Sequence, residues 1–130
     1  MAIIDHIGLA AADFDRSLAF YSTALKPLGI SLIVQFPDGG PAGDAAAGFG
    51  RAGKPELWIS RGGRVSPRIH IAFTANSRPE VDAFYEAARR AGGTDNGAPG
   101  VRAHYHPHYY GAYVLDPDGH NIEAVCHFPA

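Results

Sequence analysis

Two halves of this sequence resemble each other at a fixed offset of 64 residues. Identical residues recur at that spacing: His6-Ile7 and His70-Ile71, Phe20-Tyr21 and Phe84-Tyr85, Gly29 and Gly93. A repeat of this length indicates two supersecondary units that bury their apolar faces against each other. Because each half carries one histidine at the same place, the repeat also brings two potential metal ligands towards a shared axis.

In the first half, the spacing of apolar residues predicts one strand, one helix and then three strands. Asp13 can cap the helix, whose apolar stripe recurs with the helical period as far as about Leu28, and Gly29 then breaks it. The predicted strands are 3–10, 30–36, 45–51 and 56–60. Residues 61–67 are interpreted as the linker between the halves.

The second half repeats this plan. Ser77 and Glu80 form a capping box around Pro79, which predicts a helix from there to about Ala91. Residues 116–119 (Asp-Pro-Asp-Gly) suit a type I turn. The predicted strands are 68–75, 110–115 and 120–127, while 94–107 carries no clear assignment.

These elements predict one α+β domain over residues 1–130, with repeat halves at about 1–62 and 66–130. Two tandem βαβββ modules would form a curved, mostly antiparallel sheet around a concave site, with the helices outside. The net charge of −2 gives no footprint for nucleic acid, and the chain lacks an apolar run long enough to span a membrane. We therefore expect no nucleic-acid or membrane partner. The absence of a signal-peptide pattern predicts a cytoplasmic location.

Three residues stand out as metal ligands. If the helices cover the face that carries Ile7 and Ile71, then His6 and His70 point to the concave side. Glu123 lies on the final predicted strand. Two imidazoles and one carboxylate on three strands form a facial set with open coordination positions. Such a set would bind Fe(II), Mn(II), Ni(II), Zn(II) or Co(II), and the sequence does not choose among them.

Other residues have alternative interpretations. Glu56 could be a fourth ligand or an ordinary strand residue. The stretch 104–110 (His-Tyr-His-Pro-His-Tyr-Tyr) could ligate a metal, but we favour a pocket wall in which His106 and Tyr110 act in proton transfer. His127 shares the Glu123 face, whereas Cys126 lies on the opposite face, where we expect it to be buried and inert.

These motifs resemble those of the vicinal oxygen chelate superfamily, which includes glyoxalases, bleomycin-resistance proteins, fosfomycin-resistance transferases and extradiol dioxygenases. The matching segments are 5–9 (Asp-His-Ile-Gly-Leu), 16–21 (Arg-Ser-Leu-Ala-Phe-Tyr), 69–73 (Ile-His-Ile-Ala-Phe) and 116–123 (Asp-Pro-Asp-Gly-His-Asn-Ile-Glu). The resemblance implies that His6, His70 and Glu123 coordinate a divalent metal, with Glu56 or a neighbour near the fourth position. It also implies substrate binding through vicinal oxygens and a homodimer.

Two functions follow from these observations. The first is a metal-dependent glyoxalase-like enzyme, a lyase, isomerase or oxygenase, in which Glu123, His106 and Tyr110 serve catalysis on a small oxygenated substrate. The second is a metal-free protein that sequesters an aromatic or cationic small molecule, suggested by the aromatic residues near the cleft, Trp58 among them.

Overall fold

The structure is a computed structural model that describes residues 4–38, 43–65 and 69–130. The first module consists of β1 (Ile7–Ala11), α1 (Phe14–Ala24), a 3₁₀ turn (Lys26–Leu28), β2 (Ser31–Phe36), β3 (Ala46–Arg51) and β4 (Lys54–Arg61). The second consists of β5 (His70–Thr74), α2 (Arg78–Arg90), β6 (Thr94–Val101), β7 (Tyr110–Leu115) and β8 (Asn121–Cys126). The predicted α+β fold of two βαβββ modules is confirmed.

Each module forms its own four-stranded mixed sheet. The strand orders are β1-β4-β3-β2 and β5-β8-β7-β6. In each sheet the first pair is parallel and the other two pairs are antiparallel. Strand β5, which begins at His70, and strand β1, which His6 precedes, are therefore edge strands. The described residues form two separate sheets where the sequence predicted one curved sheet.

The helix of the first module is shorter than predicted. The Asp13 side chain accepts a hydrogen bond from the Arg16 backbone N–H, as expected of an N-cap. The α-helix ends at Ala24, and a 3₁₀ turn replaces its expected last turn. Pro27 explains this change, because it has no N–H to donate and its ring would collide with the preceding turn of an α-helix.

The second helix follows its sequence signals closely. Ser77 accepts from the Glu80 N–H at 3.3 Å, and the Glu80 carboxylate accepts from the Asn76 N–H at 3.1 Å. Charges suit the helix dipole, with Glu80 in the first turn and Arg89 and Arg90 in the last.

Strand β6 was not predicted. Its sequence contains Gly97, Pro99 and Gly100, which normally argue against a strand. The structure accommodates them because β6 is an edge strand and its pairing with β7 shifts register on both sides of Gly97. Glycine and proline therefore mark irregular edge pairing at this place.

Both modules contribute to one buried core, and a hydrogen bond joins them. The Tyr21 hydroxyl of α1 donates to the Asp116 carboxylate in the β7–β8 turn at 2.6 Å, with both residues buried. Burial and the neighbouring Asp116 carboxylate raise the pKa of Tyr21 well above its usual value, so the phenol keeps its proton. Cys126 is buried in this core, as predicted.

Candidate metal centre

The second sheet places a histidine and a glutamate in contact on the face away from α2. Glu123 of β8 lies opposite Ala72 of β5 and Tyr113 of β7, so these residues share a face with His70. Nε2 of His70 is 2.9 Å from Oε1 of Glu123. The Glu123 side chain is only 2% exposed, whereas that of His70 is 51% exposed. The pair thus combines a buried carboxylate with an imidazole that solvent can reach.

Tyr109 holds the other carboxylate oxygen. Its hydroxyl donates to Oε2 of Glu123. Burial, and then the hydrogen bond to this carboxylate, raise the pKa of Tyr109, which therefore remains a neutral donor. Because both oxygens of Glu123 have partners, the orientation of the carboxylate is fixed before any ligand binds.

The spacing of this pair fits metal binding. Divalent metals bind imidazole nitrogen and carboxylate oxygen at about 2.1 Å, so two ligands at a right angle lie about 3.0 Å apart. The observed separation of 2.9 Å between the His70 and Glu123 atoms matches that value. A buried carboxylate also needs a compensating positive charge, which a metal supplies.

The first sheet carries a second pair of possible ligands. Ile7 lies opposite Leu57 in the parallel pairing of β1 and β4, so His6 and Glu56 each stand one residue before this paired position. His6 is 58% exposed, and its Nδ1 lies 2.8 Å from the Asp5 carboxylate. Glu56 is exposed as well. This register supports Glu56 as the partner of His6.

Within one chain, His6 stands apart from the His70–Glu123 pair. Across residues 4–38, 43–65 and 69–130, one group of three potential ligands has its ligand atoms all within 4.8 Å of one another, and it consists of Asp116, Asp118 and His120. The three residues predicted as ligands do not meet that spacing. The chain instead presents two half-sites, which we name the His6 half-site (His6 and Glu56) and the His70 half-site (His70 and Glu123).

The Asp116 group has its hydrogen-bonding capacity taken up by the fold. Oδ1 of Asp116 accepts from the backbone N–H groups of Asp118 and His120, and Oδ2 accepts from Tyr21. Nδ1 of His120 accepts from the Ile69 N–H at 3.3 Å. Asp116 and His120 are also buried. A metal there would have to displace bonds that close the β7–β8 turn, so the group's spacing reflects that turn.

His106 and Tyr110 occupy different sides of the second sheet. Nε2 of His106 lies 2.8 Å from Nδ1 of His127, and both imidazoles pack against Tyr109 near the His70 half-site. Tyr110 pairs with Cys126 and donates to Asp82 of α2, which places it on the helix side. Tyr110 therefore does not reach Glu123, and the tyrosine in contact with that carboxylate is its neighbour Tyr109. The sequence pattern does not distinguish the two neighbouring tyrosines, because residues 102–109 form a loop without a period.

A cavity of about 270 Å³ lies elsewhere, at the seam between the two sheets. Its lining includes Ile7 and Glu56 from the first sheet and Ile71 and Phe73 from the second. Neither His70 nor Glu123 lines it. No helix among the described residues is long and apolar enough to cross a membrane.

The fold and sequence match a known family. The sequence profile of the Glyoxalase/Bleomycin resistance protein/Dioxygenase superfamily matches residues 3–124. The comparison with curated proteins finds no match.

Several solved structures share the fold. A glyoxalase/bleomycin resistance protein from Albidiferax ferrireducens is 27% identical with a TM-score of 0.79, covering 98% of this chain and 100% of that one. The fosfomycin resistance protein FosX from Listeria monocytogenes, a glutamate-to-glutamine variant complexed with Mn(II) and 1S,2S-dihydroxypropylphosphonic acid, is 24% identical with a TM-score of 0.68, covering 96% and 92%. A glyoxalase I variant from Zea mays is 23% identical with a TM-score of 0.72, and the match covers 94% of this chain but 46% of that one.

Proposed function

Because this chain belongs to the Glyoxalase/Bleomycin resistance protein/Dioxygenase superfamily, we propose that it is a metal-dependent glyoxalase-like enzyme of lyase, isomerase or oxygenase type. It binds a small substrate through two adjacent oxygen atoms. His6, His70 and Glu123 hold a divalent metal, and Glu56 is the fourth ligand. The observation that carries this proposal is the contact between His70 and the buried Glu123 carboxylate.

The complete site needs two subunits. The His6 half-site and the His70 half-site do not converge within one chain. His70 lies on the edge strand β5 and His6 immediately precedes the edge strand β1, and the unpaired backbone groups of such strands favour contact with another chain. A two-fold homodimer would bring the His6 half-site of each subunit to the His70 half-site of the other and would form two equivalent sites.

The residues around the proposed metal have different roles. The metal would act as a Lewis acid towards the adjacent substrate oxygens. Tyr109 fixes the Glu123 carboxylate and excludes water from its buried side. His106, which packs edge-on against Tyr109 and is hydrogen-bonded to His127, exchanges protons with the substrate. An imidazole suits this role because its ring nitrogens can both donate and accept a proton.

The solved neighbours support metal chemistry on adjacent oxygens. The ligand of the Listeria FosX complex is a dihydroxy acid, bound together with Mn(II). FosX is 24% identical in sequence to this chain, which shows a shared fold and does not identify the substrate of this chain. We keep Zn, Ni, Mn, Fe and Co as candidate metals.

One observation favours a second function, the metal-free sequestration of a flat small molecule. Phe36 and Trp58 stack on the concave face of the first sheet, with ring centroids 6.2 Å apart and planes inclined by only 2°. Such a pair could bind an aromatic ligand without a metal. In that case His6 and His70 would be dispensable for binding.

Metal stoichiometry tests the proposal. Untagged protein, reconstituted with Zn(II), Ni(II), Mn(II) or anaerobic Fe(II), should retain about one metal per chain after gel filtration, as expected of two sites per dimer. His70→Ala should lose most of that metal, because the site then lacks one of its imidazole ligands. His104→Ala is the matched control, since His104 lies in the 102–109 loop of the same module and packs against Tyr105, and it should retain the metal.

Retention of metal by His70→Ala would contradict the proposed ligand set. Absence of metal from the wild type with all four ions would overturn the enzyme proposal in favour of sequestration.

A further inference from the structure

We propose that Arg102 binds an anionic group on the substrate. The substrate would then carry two adjacent oxygens at one end and a carboxylate, phosphate or phosphonate at the other. This inference rests on the proposed function for the end of the substrate that meets the metal. It adds the chemical class of the rest of the substrate.

Arg102 extends the line of residues that begins at the His70 half-site. From β5 across the second sheet, the concave face presents His70, then Glu123, then Tyr113. Gly97 of β6 pairs with Tyr113. The Tyr113 ring centroid lies 6.3 Å from that of His70, and the guanidinium carbon of Arg102 lies 5.4 Å from the same Tyr113 ring. The Tyr113 ring therefore lies between the His70 half-site and the Arg102 guanidinium.

Among the described residues, no carboxylate lies within 4.0 Å of the Arg102 guanidinium, which is also true of other arginines such as Arg78. Arg102 differs from them in its place beside Tyr113 on the concave face. One amino group, Nη2, donates to the Ala98 carbonyl at 2.7 Å. That bond orients the guanidinium and leaves its other N–H groups for a ligand. A planar fork of donors suits a carboxylate or a phosphate.

The β6 backbone is shaped to admit this side chain. A Cβ atom on Gly97 would lie 2.8 Å from Cδ2 of Tyr113 and 3.3 Å from Nη2 of Arg102. A Cβ on Gly100 would lie 3.0 Å from Nη1. Side chains at either position would displace the guanidinium or the ring, so the two glycines keep both in place.

Arg78 provides a contrast on the opposite side of the sheet. Its guanidinium stacks on Tyr110 at 5.0 Å, and its Nε is buried. Arg78 is half-buried and lies at the start of α2, against Tyr110 of β7. Arg102 repeats the cation–π contact on the open, concave face.

The geometry limits the length of the substrate. Glu123 and the β6 backbone are two strand spacings apart, or about 10 Å. An α-hydroxy acid with an anionic arm of one to three further atoms can extend over the Tyr113 ring between them. Neutral diketones or catechols would leave Arg102 unused.

A comparison of three α-hydroxy acids tests this inference. We would load the protein with Mn(II) and titrate it calorimetrically with L-lactate, L-malate and 3-phosphoglycerate. Lactate has the chelating end alone, malate adds a carboxylate arm and 3-phosphoglycerate adds a phosphate arm. The anionic arm should tighten binding about tenfold over lactate, since a charge-assisted bond of this kind is worth about 1.4 kcal/mol.

Arg102→Gln should remove the advantage of the arm and leave lactate affinity unchanged, whereas Arg102→Lys should keep part of it. Arg16→Gln, an exposed change on α1, controls for net charge and should alter nothing. The tighter-binding acid of the two, malate or 3-phosphoglycerate, shows whether Arg102 prefers a carboxylate or a phosphate. Equal binding of all three acids to loaded wild type, or an unchanged advantage in Arg102→Gln, would overturn the inference. Failure of the protein to load with metal would overturn the proposed function instead.

Discussion

The two half-sites share a topology but differ in how far they are organised. In the His70 half-site, the glutamate is 2% exposed and both its oxygens have hydrogen-bond partners. In the His6 half-site, Glu56 is exposed and His6 contacts only its chain neighbour Asp5 among the described side chains. The repeat therefore duplicates the backbone without duplicating the surroundings of the ligands.

The difference arises from a loop that belongs to the second module. Residues 102–109 fold back over β8 and supply Tyr109, which holds the carboxylate of Glu123. His6 is held instead by flanking charges. Hydrogen bonds from Lys54 and then His6 lower the pKa of Asp5 to about 2, so the Asp5 carboxylate stays ionised at neutral pH. The His70 half-site is therefore preorganised, and we expect the His6 half-site to become ordered only in the proposed dimer.

The largest expected effect concerns how the two half-sites combine, and complementation between two defective variants tests whether they meet across subunits. His6→Ala and His70→Ala should each lose nearly all tightly bound metal. After the two variants are unfolded and refolded together, mixed dimers should recover about one quarter of the wild-type metal, because half of the dimers are mixed and one of their two sites is intact.

Native mass spectrometry would confirm that mixed dimers form. Mixed dimers without any recovered metal would mean that the half-sites do not meet across subunits.

The two glutamates should contribute unequally to metal affinity. Glu123→Gln keeps the shape of the side chain but removes its charge, and we expect the metal dissociation constant to rise by at least about a hundredfold, the upper end of the effect of losing an outer partner. Glu56→Gln should raise it about tenfold, because an exposed side chain must first be ordered and water can replace it. Competition titration with a chromophoric chelator measures both values, and equal losses would show that preorganisation does not set affinity.

A smaller contrast concerns two tyrosines outside the site. Tyr21→Phe should lower the free energy of unfolding by about 1–3 kcal/mol, because it leaves the buried Asp116 carboxylate short of a donor. Tyr110→Phe removes a hydrogen bond to the exposed Asp82 and should lower it by only about 0.5–1 kcal/mol. Urea denaturation of both variants gives the comparison, and a larger loss in Tyr110→Phe would contradict it.

The stability of the Tyr21→Phe variant should also depend differently on pH in alkaline solution. The pKa of Tyr21 is raised in the folded state, so its contribution to stability is complete below the unfolded value of about 10 and is lost as the pH rises above it. Between about pH 10 and 11, the free energy of unfolding should fall less steeply with pH in Tyr21→Phe than in the wild type. The slopes should differ by the equivalent of up to one proton, or about 1.4 kcal/mol per pH unit.

The sequence predicted the repeat unit well because its signals are local. Asp13, Ser77 and Gly29 act within one turn of chain, and they fix the start of each helix and the end of the first helical segment. Strand β6 and the two separate sheets were missed since edge pairing depends on neighbours far along the chain. Register shifts around Gly97 have no periodic pattern in the sequence.

The candidate site was predictable only in part. The repeat pointed to His6 and His70, and alternation placed Glu123 and His127 on one face. Nothing local distinguishes Tyr109 from Tyr110, because the choice depends on where β7 begins. The arrangement of two half-sites also depends on three-dimensional spacing, which the period of 64 residues does not supply.

The turn formed by Asp116 has a further consequence. Its carboxylate satisfies two backbone donors of the turn and the hydroxyl of Tyr21, so selection on folding alone would preserve it. The Glu123 carboxylate, seven residues later, is held instead by His70 and Tyr109 beside the proposed metal site. In a related protein that binds no metal, we would therefore expect the turn at residues 116–119 to persist even where the residue at position 123 differs.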